Sequence, residues 1–129
     1  RSVEPDERKL NRKQAVISFI DSVINKLVNR EGVSPEKITI LSNRGLDQSV
    51  LSGVNCAGGY PLVPLEKKNS GSITFSTVEE FKGLESDIVI YINHTYKNEP
   101  RTEDRKSIQY TALTRARFYL YVVDYEIKL

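Results

Sequence analysis

The run Asp87-Ile-Val-Ile-Tyr-Ile92 narrows the folds open to this chain more than any other feature. A strand with one wet face alternates polar and apolar residues, because successive side chains point to opposite sides. This run does not alternate, so it reads as a strand covered on both faces. Ile38-Thr-Ile-Leu41 and Ile73-Thr-Phe-Ser76 read as two more strands, and Phe118–Val123 as a last one rich in aromatic and β-branched residues. From Leu10 the period is helical: the apolar pairs Ala15/Val16, Phe19/Ile20, Val23/Ile24 and Leu27/Val28 build one continuous stripe. Gly32 is placed to cap that helix, and Ser34-Pro35 closes the turn. Strands alternating with helices imply an α/β layer fold with a largely parallel sheet. Ligands of such sheets sit at the carboxyl ends of the strands, so the loops after Ser42, Ser76, Asn93 and Asp124 are the ones to watch.

The remaining stretches fill in around this frame. Residues 1–10, mostly charged, are expected as a flexible lead-in, and residues 11–129 as one domain. Leu46–Leu51 reads as a short helix, and Tyr60–Leu65 as an extended edge segment where its prolines are tolerated. Thr77–Gly83 reads as a short helix ended by glycine, Asn93–Arg101 as a polar loop, and Thr102 as the cap of a helix running through Arg117. The single cysteine, Cys56, excludes an internal disulfide and a cysteine-rich metal site; it reads as a small packing residue in a reducing, cytoplasmic setting. No apolar run reaches the ~18–20 residues of a membrane span. The chain has no methionine, which is expected of a piece of a longer protein. A net charge of +2 permits a nucleic-acid partner without arguing for one.

The chemistry is narrowed first by absences. Neither a Gly-x-x-x-x-Gly-Lys-Ser/Thr phosphate loop nor a Gly-x-Gly-x-x-Gly turn occurs. His94, the only histidine, has no second histidine or cysteine to join it on a metal and reads as a solvated loop residue, so no metal ligands are assigned. Two segments remain. In Ser76-Thr-Val-Glu-Glu-Phe-Lys-Gly-Leu-Glu85, hydroxyls, an expected helix N-terminus and Lys82 converge where an anion could sit, and Glu85 could accept hydrogen bonds from a ribose. The bland reading is a strand–turn–helix joint capped by Gly83. In Tyr110-Thr-Ala-Leu-Thr-Arg-Ala-Arg117, Ala112, Leu113 and Ala116 can face a core and leave Arg115 to project elsewhere. An arginine so held suits phosphoryl charge contributed across a domain boundary. The bland reading is a pair of surface charges at a helix C-terminus.

Taken together, Lys82-Gly-Leu-Glu85 followed by Asp87-Ile-Val-Ile, and Tyr110-Thr-Ala-Leu-Thr-Arg115-Ala followed by an apolar strand, closely resemble motifs V and VI of UvrD/Rep-type superfamily 1 helicases. Ile38-Thr-Ile-Leu-Ser-Asn-Arg44 resembles their motif IVa, and the likeness runs over about residues 11–125 in the right order. The resemblance implies the second motor domain of such an enzyme, a three-layer RecA-like (P-loop NTPase-like) α/β domain. It implies ATP and Mg2+ as cofactors in the full-length parent, with the N-terminal RecA-like domain and single-stranded DNA as partners.

By the same resemblance, Glu85 contacts the nucleotide ribose, Gly83 permits close approach beside Lys82, and Arg115 is the arginine finger. Thr77 and Arg44 face the single strand. Three departures stand out. Glu79 occupies a position where many family members carry histidine or another non-acidic residue. The motif IV arginine and the Walker A and B motifs lie outside this chain. Loop 52–72 is too short for a large 2B insertion. A degenerate RecA-like module that binds protein or nucleic acid without ATP is the alternative, and a flavodoxin-like ligand-binding domain is weaker because no phosphate-cradling loop occurs.

Overall fold

Strand β2 (Ile38–Ser42) is buried at every position, which a strand achieves only with neighbours on both sides and cover on both faces. The computed structural model describes residues 3–96 and 103–127, apart from the side chains of Asp104 and Arg105. It supplies those neighbours in a seven-stranded sheet. The other strands are β1 (Pro5–Leu10), β3 (Cys56–Ala57), β4 (Tyr60–Pro64), β5 (Ile73–Thr77), β6 (Ser86–Tyr96) and β7 (Ala116–Ile127). Their order across the sheet is β1-β7-β6-β2-β5-β4-β3. Every pairing is parallel except the β3–β4 hairpin.

Two helices cover the sheet. Helix α1 (Lys13–Asn25), prolonged by a π turn over Lys26–Arg30, buries Val16, Ile20, Val23, Ile24 and Leu27 against Ile38, Ile40, Ile73, Ile88, Ile90 and Ile92. Each such side chain contributes roughly 1.5–3 kcal/mol of transfer free energy, which holds the helix to that face. Gly32 adopts φ +70°, and the Val33 N–H bonds to Leu27 O at 3.0 Å, so the cap forms where the sequence puts it. Helix α2 (Glu103–Leu113) packs Ala112 with Leu41, Phe81, Val89, Tyr91, Leu120 and Val122 on the opposite face.

Several expectations are corrected. Pro5–Leu10, expected as an irregular lead-in, pairs along β7 as an edge strand with mostly exposed side chains. Backbone pairing recruits it, helped by Leu10 against the core and Arg8 over Phe19, and such pairing leaves no apolar period to read. Tyr60–Pro64 is extended as expected, yet the short β3 covers part of it, so it is not the outermost strand. Leu46–Leu51 makes only a 3-10 turn over Leu46–Gln48. Cys56 is exposed, while its neighbour Ala57 is the residue that packs. Asn93–Tyr96 continue β6 rather than opening a loop, because β7 remains alongside to pair with them. The cap expected at Thr102 lies outside the described residues.

Thr77–Gly83 is a series of turns, not a helix. Thr77 lies level with Ser42 and Ile92, so residues 78–85 must return along β6 to Ser86, ~20 Å away. A helix over those residues would advance only ~12 Å. The distance favours a largely extended crossing over a continuous helix. Phe81 and Val78 pin the crossing segment into the core instead. Helix α2 likewise stops at Leu113, short of Arg117. Thr114 and Arg115 close the last turn through Thr111 O and Ala112 O, and Ala116 already pairs with Ser86 in β7.

The tightest backbone approach is at Gly58 (φ +60°), whose N–H donates to Asp21 Oδ1 at 2.7 Å. A Cβ there would overlap Ile24 Cγ2 and lie 2.7 Å from Ile24 Cβ. Gly58→Ala therefore adds left-handed strain to overpacking against α1, and should destabilise by about 2–4 kcal/mol. Urea unfolding checks this; a loss below about 0.5 kcal/mol would mean that α1 and the hairpin can move apart freely.

Candidate functional site

The sheet presents two polar edges, and the residues singled out in the sequence divide between them. At the amino ends of β6 and β7 lie Glu85 and Arg115. The Ser86 N–H donates to Arg115 O at 3.0 Å, which draws the two segments together across 30 positions of sequence. Arg115 sits in the bend between α2 and β7, half-buried, and its Nε is buried without a hydrogen-bond partner among the described residues. Buried donors are normally paired, so an orphan at such a place fits an anionic group arriving from outside. Lys82 and Glu85 are exposed. Gly83 holds φ +83°, and a Cβ added there would meet nothing within 4 Å, so its left-handed turn requires glycine and the space beside it is open.

Other charges at this edge are matched. Asp87 lies 3.6 Å from Arg117 Nε and 3.8 Å from Lys37 Nζ. Both cations are more than half exposed, so these pairs add little stability but do occupy their charges. Among the described residues, Arg115 forms no such pair. The exposed large apolar side chains among the described residues are Leu84, beside Glu85, Tyr110 in the last turn of α2, and Phe118 and Tyr119 near the start of β7. Phe118 and Tyr119 border a groove of about 320 Å³ with Val33, Lys37, Asp87 and Ile88.

Thr77 and Arg44 belong to the opposite edge, at the carboxyl ends of β5 and β2. Thr77 and Glu80 form a capping box: the Thr77 N–H and hydroxyl lie 3.2 and 3.0 Å from Glu80 Oε1, and the Glu80 N–H donates to Thr77 Oγ1 at 3.1 Å. The Thr77 hydroxyl proton is thus engaged within the chain. Thr77 and the exposed Glu79 line a groove of about 210 Å³ with Ser42, Asn43 and Gly45. Arg44 turns away from that groove. Its Nη2 donates to Tyr96 Oη at 2.9 Å, and its guanidinium carbon lies 5.3 Å from the centre of the Tyr96 ring.

The residue missed by sequence reasoning is His94. It is 2% exposed rather than solvated. The Val50 N–H donates to Nε2 at 2.9 Å, which places the proton on Nδ1, 2.8 Å from Asn43 Oδ1. Asn43 Oδ1 also accepts the His94 N–H, and its amide donates to His94 O and Asn93 Oδ1. Asn93 in turn donates to Asp124 at 3.0 Å. These bonds tie the 43–50 loop to the end of β6. No signal in the sequence pairs His94 with partners 44 and 51 positions away.

The chain is an α/β domain with two separate polar edges, one carrying Arg115 and Glu85, the other built of hydroxyls, amides and an arginine. Residues 72–123 match the family model of the UvrD-like helicase C-terminal domain. That segment holds Thr77, Lys82, Gly83, Glu85 and Arg115, and leaves Arg44 outside. The fold is similar to that of the C-terminal domain of a possible DNA helicase from Lactobacillus plantarum WCFS1, with a TM-score of 0.68 and 24% identity. The likeness covers 95% of this chain and 74% of that one. No curated protein sequence matches. The resemblance to UvrD-type helicase C-terminal domains therefore stands on a family match over 72–123 and on fold over almost the whole chain. No helix among the described residues is long and apolar enough to cross a membrane.

Burial above all, and Arg44 nearby, push the His94 imidazole down to about 4, against a backbone hydrogen bond at Ile92 that favours its charge. In the unfolded chain it titrates near 6.5. Between those values the unfolded state takes up a proton that the folded state refuses, so stability present above about pH 6.5 falls as the pH drops toward 4. The loss from this group is about 3 kcal/mol. Urea unfolding of wild type and His94→Gln at pH 7 and pH 4 should show the extra loss in the wild type alone. An equal loss in both would place the acid sensitivity elsewhere.

Proposed function

We propose that this chain is the second RecA-like motor domain of an ATP-dependent superfamily 1 DNA helicase, with a three-layer architecture. In this reading its amino edge forms one wall of an ATP cleft and its carboxyl edge part of a single-strand path. The observation that carries this reading is the meeting of Glu85 and Arg115 at adjacent strand ends, with Arg115 Nε buried and unmatched. The family match over 72–123 supports it, as does the likeness in fold to the C-terminal domain of a possible DNA helicase.

The roles follow from the chemistry of each residue. ATP with Mg2+ supplies the phosphoryl transfer that drives such an enzyme. Arg115 is suited to hold γ-phosphate charge, because a guanidinium is permanently charged and fixed here by the turn that closes α2. Glu85 accepts from ribose hydroxyls, Lys82 adds positive charge, and the open side of Gly83 leaves room for the nucleotide. The partner at this edge is the N-terminal RecA-like domain of the same parent. Leu84, Tyr110, Phe118 and Tyr119 suit burial against it, since exposed apolar patches of this kind mark interfaces. Arg44 contacts the single-stranded DNA backbone. For Thr77 the capping box favours a structural role, with one hydroxyl lone pair left for a ligand. A cytoplasmic location belongs to the same reading.

In the full-length parent, Arg115→Ala should leave ATP binding largely intact and lower kcat by about 10³-fold or more. Steady-state ATPase assays in the presence of single-stranded DNA check this, with the 129-residue chain alone expected to show no turnover. An unchanged kcat in a folded variant would return Arg115 to the status of a surface charge.

A further inference from the structure

The loop after β2 is held in a way that its own residues do not require. Asn43 spends both ends of its amide on β6: Oδ1 accepts the His94 N–H at 2.9 Å and lies 2.8 Å from Nδ1, and Nδ2 donates to His94 O at 3.0 Å. The next residue is Arg44. Its own N–H donates to Ser42 Oγ at 2.9 Å, and its guanidinium rests on Tyr96, two positions beyond His94. The tip of Arg44 and the side chain of its neighbour Asn43 are therefore both referred to the same end of β6, while the Arg44 N–H is held by β2. The imidazole that meets Asn43 is itself buried.

We propose that His94 is the positioning residue for Arg44: by fixing Asn43 through its Nδ1–H, it presents the Arg44 guanidinium in one orientation to the phosphodiester backbone of a single strand. The inference rests on the nucleic-acid role proposed above for Arg44. An arginine that is already ordered loses less freedom when it binds. Freeing the loop should restore that cost to every binding event. The expected penalty is about three- to tenfold in Kd, the range that ordering one long side chain implies.

The two ring nitrogens allow a test that separates positioning from mere support. In His94→Gln the amide oxygen can still accept the Val50 N–H, whereas the Nδ1 bond to Asn43 is lost and only the bonds of Asn43 to the residue-94 backbone remain. In His94→Asn the amide nitrogen can still donate to Asn43, whereas Val50 loses its acceptor. Binding of a labelled oligothymidylate by the 129-residue chain is measured by anisotropy at several salt concentrations, with thermal unfolding of each variant alongside.

Arg44→Ala should weaken binding and reduce the slope against log salt by about one phosphate. His94→Gln should weaken binding about three- to tenfold with little effect in the Arg44→Ala background. His94→Asn should bind like the wild type although it is the less stable variant. If His94→Gln does not fold, Asn43→Ala removes that link together with the bonds to the residue-94 backbone and to Asn93, and should give at least the same loss.

Wild-type affinity in His94→Gln beside a weakened Arg44→Ala would overturn the positioning role alone, as would affinities that simply follow stability. No effect of Arg44→Ala would remove the nucleic-acid role of Arg44 and this inference with it.

Discussion

Strand β6 is bonded to β2 on one side and β7 on the other, and it is packed on both faces. Ile88, Ile90 and Ile92 point to α1, while Val89 and Tyr91 point to the α2 side. Each of these side chains is at most 2% exposed, so the position of β6 is fixed by roughly 1.5–3 kcal/mol per side chain. Both polar edges are attached to its ends. At the amino end, the Ser86 N–H holds the Arg115 bend. At the carboxyl end, Asn93, His94 and Tyr96 hold the loop that carries Arg44.

The segment 78–85 is what links those edges along the chain. It crosses over β2 without a helix, held by Val78 N–H on Ser42 O at 3.0 Å and by Phe81 in the core. Thr77 and Glu80 start it at the carboxyl edge, and Gly83 turns it toward Glu85 at the other. A short, anchored connection of this kind has little slack. A displacement at one edge is therefore carried to the other through few rotatable bonds, which suits a domain proposed to relate nucleotide to single strand.

What can be read from the sequence follows the range of the forces involved. The helix stripe of α1, its Gly32 cap and the cores of β2, β5, β6 and β7 rest on local periodicity, and they appear where periodicity puts them. Strand β1 carries no period because its side chains are largely exposed. The Thr77–Glu80 capping box is a local signal, yet the span back to Ser86 overrides the helix it would start. Arg115 is legible as a residue but not in its setting, since the early end of α2 depends on pairing between Ala116 and Ser86. His94 reads as solvated in the sequence because its burial is made entirely by partners remote along the chain.

In the proposed function the two edges serve different ligands, nucleotide at the amino ends and single strand at the carboxyl ends. Amide hydrogen exchange on the full-length parent tests it most directly, with a non-hydrolysable ATP analogue and a single-stranded oligonucleotide added separately. The analogue should slow exchange at residues 82–86 and 114–118, and the oligonucleotide should slow it at residues 43–45 and 77–79. Protection of residues 43–45 by the analogue, with residues 114–118 unaffected, would contradict this assignment of the edges.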